Sequence, residues 1–294
     1  MRVATSPINW NNEDVPDYRP WMPYPQILDA IKEAGYDATE WSSSLPEDVE
    51  RLRADLEARG LSLIGAFVAL DLRASEKHSE ELARALEKAR FLKALGARHL
   101  VVADAGDANR RAKAGHVGPE DGLSERAWDA LTKGLHALAD RLAPLGLRLV
   151  FHNHVGTYVE TGEEIARLLE ATDPARVGWC LDTGHLVYGG GDLLALLDRF
   201  ADRVGYLHVK DVDPEVLARA RTEGWSFETA LRNYIFAPLG EGLVPLKEAL
   251  KRLKAAGYTG WAVIEQDTTP EDPTKTAKKN RERFEALLQE VDGG

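Results

Sequence analysis

Cysteine is almost absent: Cys180 is the only one in 294 residues. No internal disulfide can form, and a reducing compartment is expected. Positive charge is short as well, with 37 Lys and Arg against 48 Asp and Glu and a net charge of -11. Phosphate-rich partners need clustered Lys and Arg, so nucleic acid and an anionic membrane surface are disfavoured. No run of about 18 apolar residues occurs, so no membrane span is expected. The N-terminal MRVATSPINW carries no apolar signal region, and a cytoplasmic protein is expected. A glycine-rich phosphate loop is missing too. The first strand-like run leads into NWNNEDVPDY, which argues against a doubly wound dinucleotide fold. GGGD at 189–192 is glycine-rich but follows the sixth strand and reads as a turn before a helix.

What is present is a rhythm. Short β-rich runs fall at 2–9, 37–41, 61–70, 98–104, 147–153, 177–182, 205–211 and 260–267. Helical patterns lie between them, at 23–34, 46–59, 76–95, 123–145, 161–171, 192–200, 244–256 and 274–290. Ser124 and Thr161 are N-cap residues by type, and Pro46 stands before EDVERLRADLEARG. Five helices run out into glycine, in KEAGYD, EARGLS, KALGAR, APLGLR and KAAGYT, which suits the left-handed position past a helix end. A unit of helix, glycine and strand, repeated about every 30–40 residues, demands a parallel sheet. Eight units predict an α/β fold, a (β/α)8 TIM barrel over residues 1–294 as a single domain. The connections after strands 4 (104–122) and 7 (212–243) are long. In a barrel both emerge at the C-terminal face, where active sites lie.

The strand tips carry the chemistry. FHNHVGTYVE (151–160) puts His152, Asn153 and His154 at the end of a buried run. Asp182, followed by Thr183, Gly184 and His185, ends the sixth strand; His208, Lys210 and Asp211 end the seventh; Glu265, Gln266 and Asp267 end the eighth. Side chains alternate along a strand. His152, Asp182, His208 and Glu265 share the parity of Val150, Cys180, Tyr206 and Val263, so one residue per strand points to the axis at similar height. Two carboxylates and two imidazoles converging there repel or are stranded unless a divalent cation joins them. Read singly, each makes ordinary loop hydrogen bonds; read together, they predict a metal site. Mixed N and O donors suit Mn, Co, Fe or Zn, with Mn or Co expected ahead of Zn or Fe.

CLDTGH, HVKD and PLGEG resemble the xylose isomerase-like barrel superfamily of sugar isomerases, epimerases and dehydratases. The resemblance covers almost the whole chain. Within that group the chain is most similar to the inosose dehydratases of inositol catabolism, at SPINWNNED, GYDATEW, FHNHVGTYVET, LDTGHLVYGGGD, HVKDVDPEVLARARTEGWSF, PLGEG and EQDTTPEDP. The superfamily takes one metal ligand from each of four strand tips: Glu, Asp, His and Glu. By position these fall on His152, Asp182, His208 and Glu265. The first is a departure, histidine for glutamate. In the epimerases two metal-bound glutamates on opposite faces of the substrate trade one proton. Losing that symmetry favours elimination.

The resemblance implies metal-dependent loss of water from a keto-cyclitol through an enediolate. It makes Glu265 the expected base, His154 and His185 the expected acids, and Lys210 the stabiliser of the oxyanion. Asn9, Glu40 and Gln266 are expected to hold substrate hydroxyls, with Trp10 as an apolar wall. Taken blandly, Lys210 is a salt bridge to Asp211 or Glu40. The partner is then a small polyhydroxy ketone, and a homo-oligomer is expected from the relatives. Cys180 is expected to pack, and His78, His99, His116 and His136 are expected to be surface or capping residues without partners. The rival readings are a ketose or keto-inositol isomerase or epimerase on the same site, a nuclease of the superfamily, which the charge disfavours, and a non-catalytic sugar-binding barrel.

Overall fold

β-Branched runs ending in polar tips build the strands of a computed structural model, which describes residues 1–293. They are β1 (Arg2–Thr5), β2 (Ala38–Trp41), β3 (Ser62–Leu70), β4 (His99–Asp104), β5 (Arg148–His152), β6 (Val177–Asp182), β7 (Val204–Val209), β8 (Asp211–Val212), β9 (Phe236–Ala237) and β10 (Trp261–Ile264). Eight of them close into a parallel barrel in the order β1-β10-β7-β6-β5-β4-β3-β2. β8 and β9 form a separate antiparallel pair. Each barrel strand is apolar on both faces because one lines the interior and the other carries a helix.

The interior holds one residue from every barrel strand: Ala4, Ala38, Ile64, Val101, Val150, Cys180, Tyr206 and Val263. This layer fills the barrel and floors whatever lies above it. The larger outer core sits between strands and helices and is rich in Leu, with Trp10, Trp179 and Phe284 among its largest members. Two residues further along β5, β6 and β7, and just past β10, the inward positions are His152, Asp182, His208 and Glu265. Strand periodicity alone converts the apolar floor into a polar tier.

The helix ends behave as their residues dictate. Gly35, Gly60, Gly96, Gly146 and Gly257 all take positive φ, between 61° and 89°. Ser124 caps Glu125–Leu142 by accepting from Ala127 N, and Thr161 caps Gly162–Ala171 in a box with Glu164. The second helix starts later than expected, at Val49, because Asp48 rather than Pro46 is its cap.

Three other expectations change. The first strand ends at Thr5: Pro7 has no N–H for a ladder and opens a 3-10 turn, Pro7–Asn9. The two long connections are folded. That after β4 holds a helix at Ala108–Ala112 and a turn at Pro119–Asp121, and that after β7 holds helices at Pro214–Glu223 and Phe227–Arg232. His99 is neither helical nor in a loop. It opens β4 with its ring 4.9 Å from that of Tyr206, and burial lowers its pKa to about 4. His78, His116 and His136 do meet backbone atoms, of Leu72, Ala114 and Asp173. No helix among the described residues is long and apolar enough to cross a membrane.

Candidate active site

The four inward strand-tip residues meet. His152 Nε2 stands 3.3 Å from Asp182 Oδ2 and 3.2 Å from His208 Nδ1. His208 Nδ1 stands 3.8 Å from Asp182 Oδ2 and 3.2 Å from Glu265 Oε2. All four residues are buried. Donors at the usual bond length around a tetrahedral ion lie about 3.3–3.6 Å from one another. The observed spacings fall on or near that range, so the donor set fits a divalent cation.

Two other groupings share these residues. Glu40, His208 and Glu265 bring donor atoms within 4.8 Å of one another, as do His152, Cys180 and His208. Glu40 has a better-defined place behind the centre: its Oε1 lies 3.1 Å from His208 Nε2. A carboxylate on the far nitrogen fixes the ring and leaves Nδ1 for an ion. Burial pushes the Cys180 thiol well above the ordinary range, and the nearby charges of Glu40, Asp182 and Glu265 push it the same way.

Local structure sets each donor. Asp182 ends β6 and caps the helix Thr183–Tyr188: Oδ1 accepts from His185 N at 2.8 Å, which leaves Oδ2 for the centre. Asn153 braces the same corner, donating to Asp182 O and accepting from Asp182 N and Trp179 Nε1. Lys210 reaches the carboxylates directly. Its Nζ lies 2.6 Å from Glu265 Oε2, 3.1 Å from Asp182 Oδ2 and 3.3 Å from Asp267 Oδ1. The salt bridge anticipated with Asp211 or Glu40 is therefore to other carboxylates. Asp211 instead accepts from the backbone of Gly240, Gly242 and Val244.

The charges hold one another in place. Burial works to raise the Asp182 carboxyl, but Lys210, His152 and His208 outweigh it and hold its pKa at about 2. Burial also opposes the Glu265 charge, and His208 and Lys210 keep its pKa well below the usual range. His208 is drawn well up against burial by Glu265 and Glu40. His152 is lowered by burial. A cation held by these four residues would replace one of the protons that a charged His208 carries.

A cavity of about 200 Å³ opens above these groups. His152, His154, His208, Lys210, Glu265 and Glu40 line it, with Asp267 and the β1-loop residues Asn11, Glu13 and Asp14. Its apolar surface comes from Trp41, Phe67 and Ile8. Phe67 pairs in register with Val101, an interior position, and its ring centroid lies 5.5 Å from that of His152. A side lobe of about 70 Å³, shared by Asp14, Phe67 and His154, runs toward Arg111 and Phe227. A larger groove, about 740 Å³, lies between Trp128, Arg167 and the Gly189–Asp192 turn. It holds none of the strand-tip imidazoles or carboxylates, so the smaller cavity is the chemical one.

Several expected site residues lie elsewhere. Trp10 is 1% exposed and does not line the cavity; its Nε1 donates to Thr274 Oγ1 in the outer core. The early end of β1 turns it away. Asn9 donates to Thr5 Oγ1 and Ile264 O and accepts from Gln266 N, so its amide is used up by the barrel. Gln266 accepts from Asn280 and likewise faces away. His185 sits behind His154, ring centroids 3.8 Å apart, off the cavity, and its Nε2 is buried without a partner. His154 does line the cavity, yet burial, helped by His152, lowers its pKa to about 3. With Nδ1 2.7 Å from Val155 O, the N–H points to that carbonyl and Nε2 keeps its lone pair. At rest His154 is a base rather than an acid. Residues missed in the sequence are Trp41, Phe67 and Asp14. GYDATEW and SPINWNNED lie at or beside two of them; Phe67 has no signal beyond its place in a strand.

Comparison with known proteins agrees with this architecture. Residues 28–287 match the family model described as xylose isomerase-like TIM barrel. An inosose dehydratase of Geobacillus kaustophilus is 35% identical, over 99% of this chain and 96% of its own. The rhizopine catabolism protein MocC of Rhizobium meliloti is 36% identical, over 97% of this chain and 87% of its own. The crystal structure of the IOLI protein with a binding zinc atom superposes with a TM-score of 0.71 at 16% identity, covering 99% of both chains, a likeness of fold. A closed eight-stranded barrel and a family match over residues 28–287 establish that the chain belongs to the xylose isomerase-like TIM barrel family.

Proposed function

We propose that this protein is a hydro-lyase that removes water from an inosose, a keto-cyclitol, in inositol catabolism. The observation that carries the reading is the convergence of His152, Asp182, His208 and Glu265 beneath a small cavity, in a chain whose relatives include inosose dehydratases. A cavity of about 200 Å³ is below the roughly 300 Å³ at which pockets for drug-sized ligands begin, and suits one small ring.

When bound, a divalent cation supplies Lewis acidity that polarises a ketone and acidifies the adjacent C–H. The N₂O₂ donor set suits Mn or Co, then Zn or Fe. Glu265 is the proposed base. Ionised and buried beside Lys210, it removes the proton next to the ketone, and the C–H electron pair becomes the C=C of an enediolate. Lys210 holds a fixed positive charge 2.6 Å from Glu265 Oε2, within reach of oxyanion charge as it develops. The β-hydroxyl then leaves with one proton as water. That proton is the one Glu265 took from carbon, and His154 Nε2, an unprotonated nitrogen at the cavity wall, is the proposed relay that passes it to the leaving oxygen, with His185 stacked behind as a positioning residue. Histidine at 152 denies the site a symmetrical pair of glutamates, and so disfavours an epimerase that returns a proton to the opposite face.

A proton NMR time course tests this, with scyllo-inosose in D₂O and Mn or Co added, against a chelated control. Metal-dependent appearance of the dehydrated dione is expected. Deuterium entering beside the carbonyl without loss of water would show an isomerase or epimerase instead.

A further inference from the structure

Asp14 and Asp267 are carboxylates in the cavity for which the chemistry above has no use. Asp14 comes from the β1 loop and lies at the junction of the main cavity and its side lobe. Its side chain is 32% exposed and lines both. Burial nonetheless raises its pKa, the signature of a carboxyl in a pocket rather than on a surface. Its only oppositely charged partner within 4 Å among the described residues is Arg111, at 3.8 Å, beyond hydrogen-bond distance. Asp267, past β10, is 3% exposed and also lines the cavity. Its Oδ1 is buried with no hydrogen-bond partner; Lys210 Nζ stands 3.3 Å away without making one.

The loop is held so that both face the same space. Asn12 Nδ2 donates to Asp267 O at 3.0 Å, while Asn12 Oδ1 accepts from Asp14 N at 2.8 Å. One amide thus ties the backbones of the two aspartates together. Glu13 anchors the same loop to the turn after β2 by accepting from Ser43 N and Oγ. The buried Asp267 Oδ1 lacks a hydrogen-bond donor, and an acceptor left so costs stability. A ligand that brings donors repays it.

We propose that Asp14 and Asp267 are specificity-determining residues that accept hydrogen bonds from ring hydroxyls of the polyhydroxy ketone, on the part of the ring remote from the carbonyl. This rests on the dehydratase reading for the identity of the ring. The ligand groups are hydroxyls rather than an ammonium because Arg111 and Lys210 already stand beside the two carboxylates, and a third cation would face both. Neutral O–H donors to a carboxylate form short, charge-assisted bonds without that repulsion.

The test uses the metal-loaded enzyme, with Asp14→Asn and Asp14→Ala compared to wild type. Steady-state rates are measured with scyllo-inosose and with an inosose lacking one ring hydroxyl. Calorimetry with myo-inositol, which has the hydroxyls and no ketone, reads recognition apart from turnover. Both variants are expected to raise KM at least tenfold with kcat within threefold. Wild type should lose at least tenfold in kcat/KM on the deoxy substrate, and Asp14→Ala should lose no more than twofold further. Wild type should bind myo-inositol at least tenfold more tightly than Asp14→Ala. Unchanged KM and unchanged myo-inositol binding in the folded Asp14→Asn protein would overturn the proposal. Absence of inosose turnover in wild type would overturn the dehydratase reading, and the myo-inositol arm would still decide this one.

Discussion

Lys210 Nζ lies 3.1 Å from Asp182 Oδ2, the oxygen that also faces His152 and His208. A divalent ion at the centre would therefore share this carboxylate with the Lys210 ammonium.

That overlap gives Lys210→Met effects of opposite sign. Without metal, the buried carboxylates lose their cation, and stability should fall by about 3–5 kcal/mol. With metal, a repelling neighbour is gone, so Mn affinity should rise about tenfold or more while turnover falls at least a hundredfold, the loss typical when a developing oxyanion loses one stabilising group. Thermal melts with and without Mn, together with a metal titration, check both signs. Equal destabilisation with and without metal would separate Lys210 from the centre.

On this account Glu40 would act through His208, whose Nε2 lies 3.1 Å from its Oε1. Glu40→Gln keeps the shape of the side chain but loses the charge that orients Nε2–H, and metal affinity should drop about 10–100-fold. The same variant should alter KM little once metal is saturating. A large KM effect with unchanged metal affinity would return Glu40 to the role of substrate holder.

The two aromatic positions should part cleanly. Trp10→Ala removes a fully buried ring and should cost about 3–5 kcal/mol in urea unfolding. Phe67, 38% exposed and on the cavity, should show the reverse pattern: Phe67→Ala raises KM severalfold and barely moves the unfolding midpoint. If Trp10→Phe raised KM at unchanged stability, the assignment of the wall to Phe67 would be wrong.

Glu160 ties the loops after β4 and β5. Its Oε1 accepts from Gly115 N at 2.7 Å and Oε2 from Gly156 N at 2.6 Å. Burial still raises its pKa from 4.5 to about 7, against those bonds and Arg110. Between these values the folded chain holds a proton that the unfolded chain has lost, so this group's contribution to stability falls as pH rises from 4.5 to 7. Glu160→Gln removes that slope. The difference between variant and wild type should shift by up to about 3 kcal/mol over the window, in favour of Gln at the higher pH. A constant difference in urea unfolding across the window would show that Glu160 does not titrate there.

The barrel was legible because its signals are local. Gly35, Gly60, Gly96, Gly146 and Gly257 each mark a helix end, and the strand runs between them have strand length and strand composition. The four converging donors were legible because parity along a strand is exact: His152 must share a face with Val150. Misplacement began where local rules give out. β1 ends at Thr5, and the turn that Pro7 opens swings Trp10 into the outer core and commits Asn9 to the barrel. His154 and His185 are both near the tips, yet which of them reaches the cavity depends on ring stacking between a loop and the Thr183–Tyr188 helix, a tertiary fact. Phe67 looked like any strand residue, since nothing in LSLIGAFVAL says that this side chain faces open space above the barrel floor. Asp14 sat in a loop whose path is set by Asn12 gripping the backbone of Asp267, some 250 residues away in sequence.

Pulsed EPR on the Mn-loaded protein reads the first coordination sphere and so tests the four-donor centre most directly. Nitrogen couplings from two histidines are expected, falling to one in His152→Ala with Mn still bound and to one in His208→Ala with weakened binding. Couplings from a single histidine in the wild type, unchanged in His152→Ala, would remove His152 from the metal and with it the asymmetry on which the dehydratase reading depends.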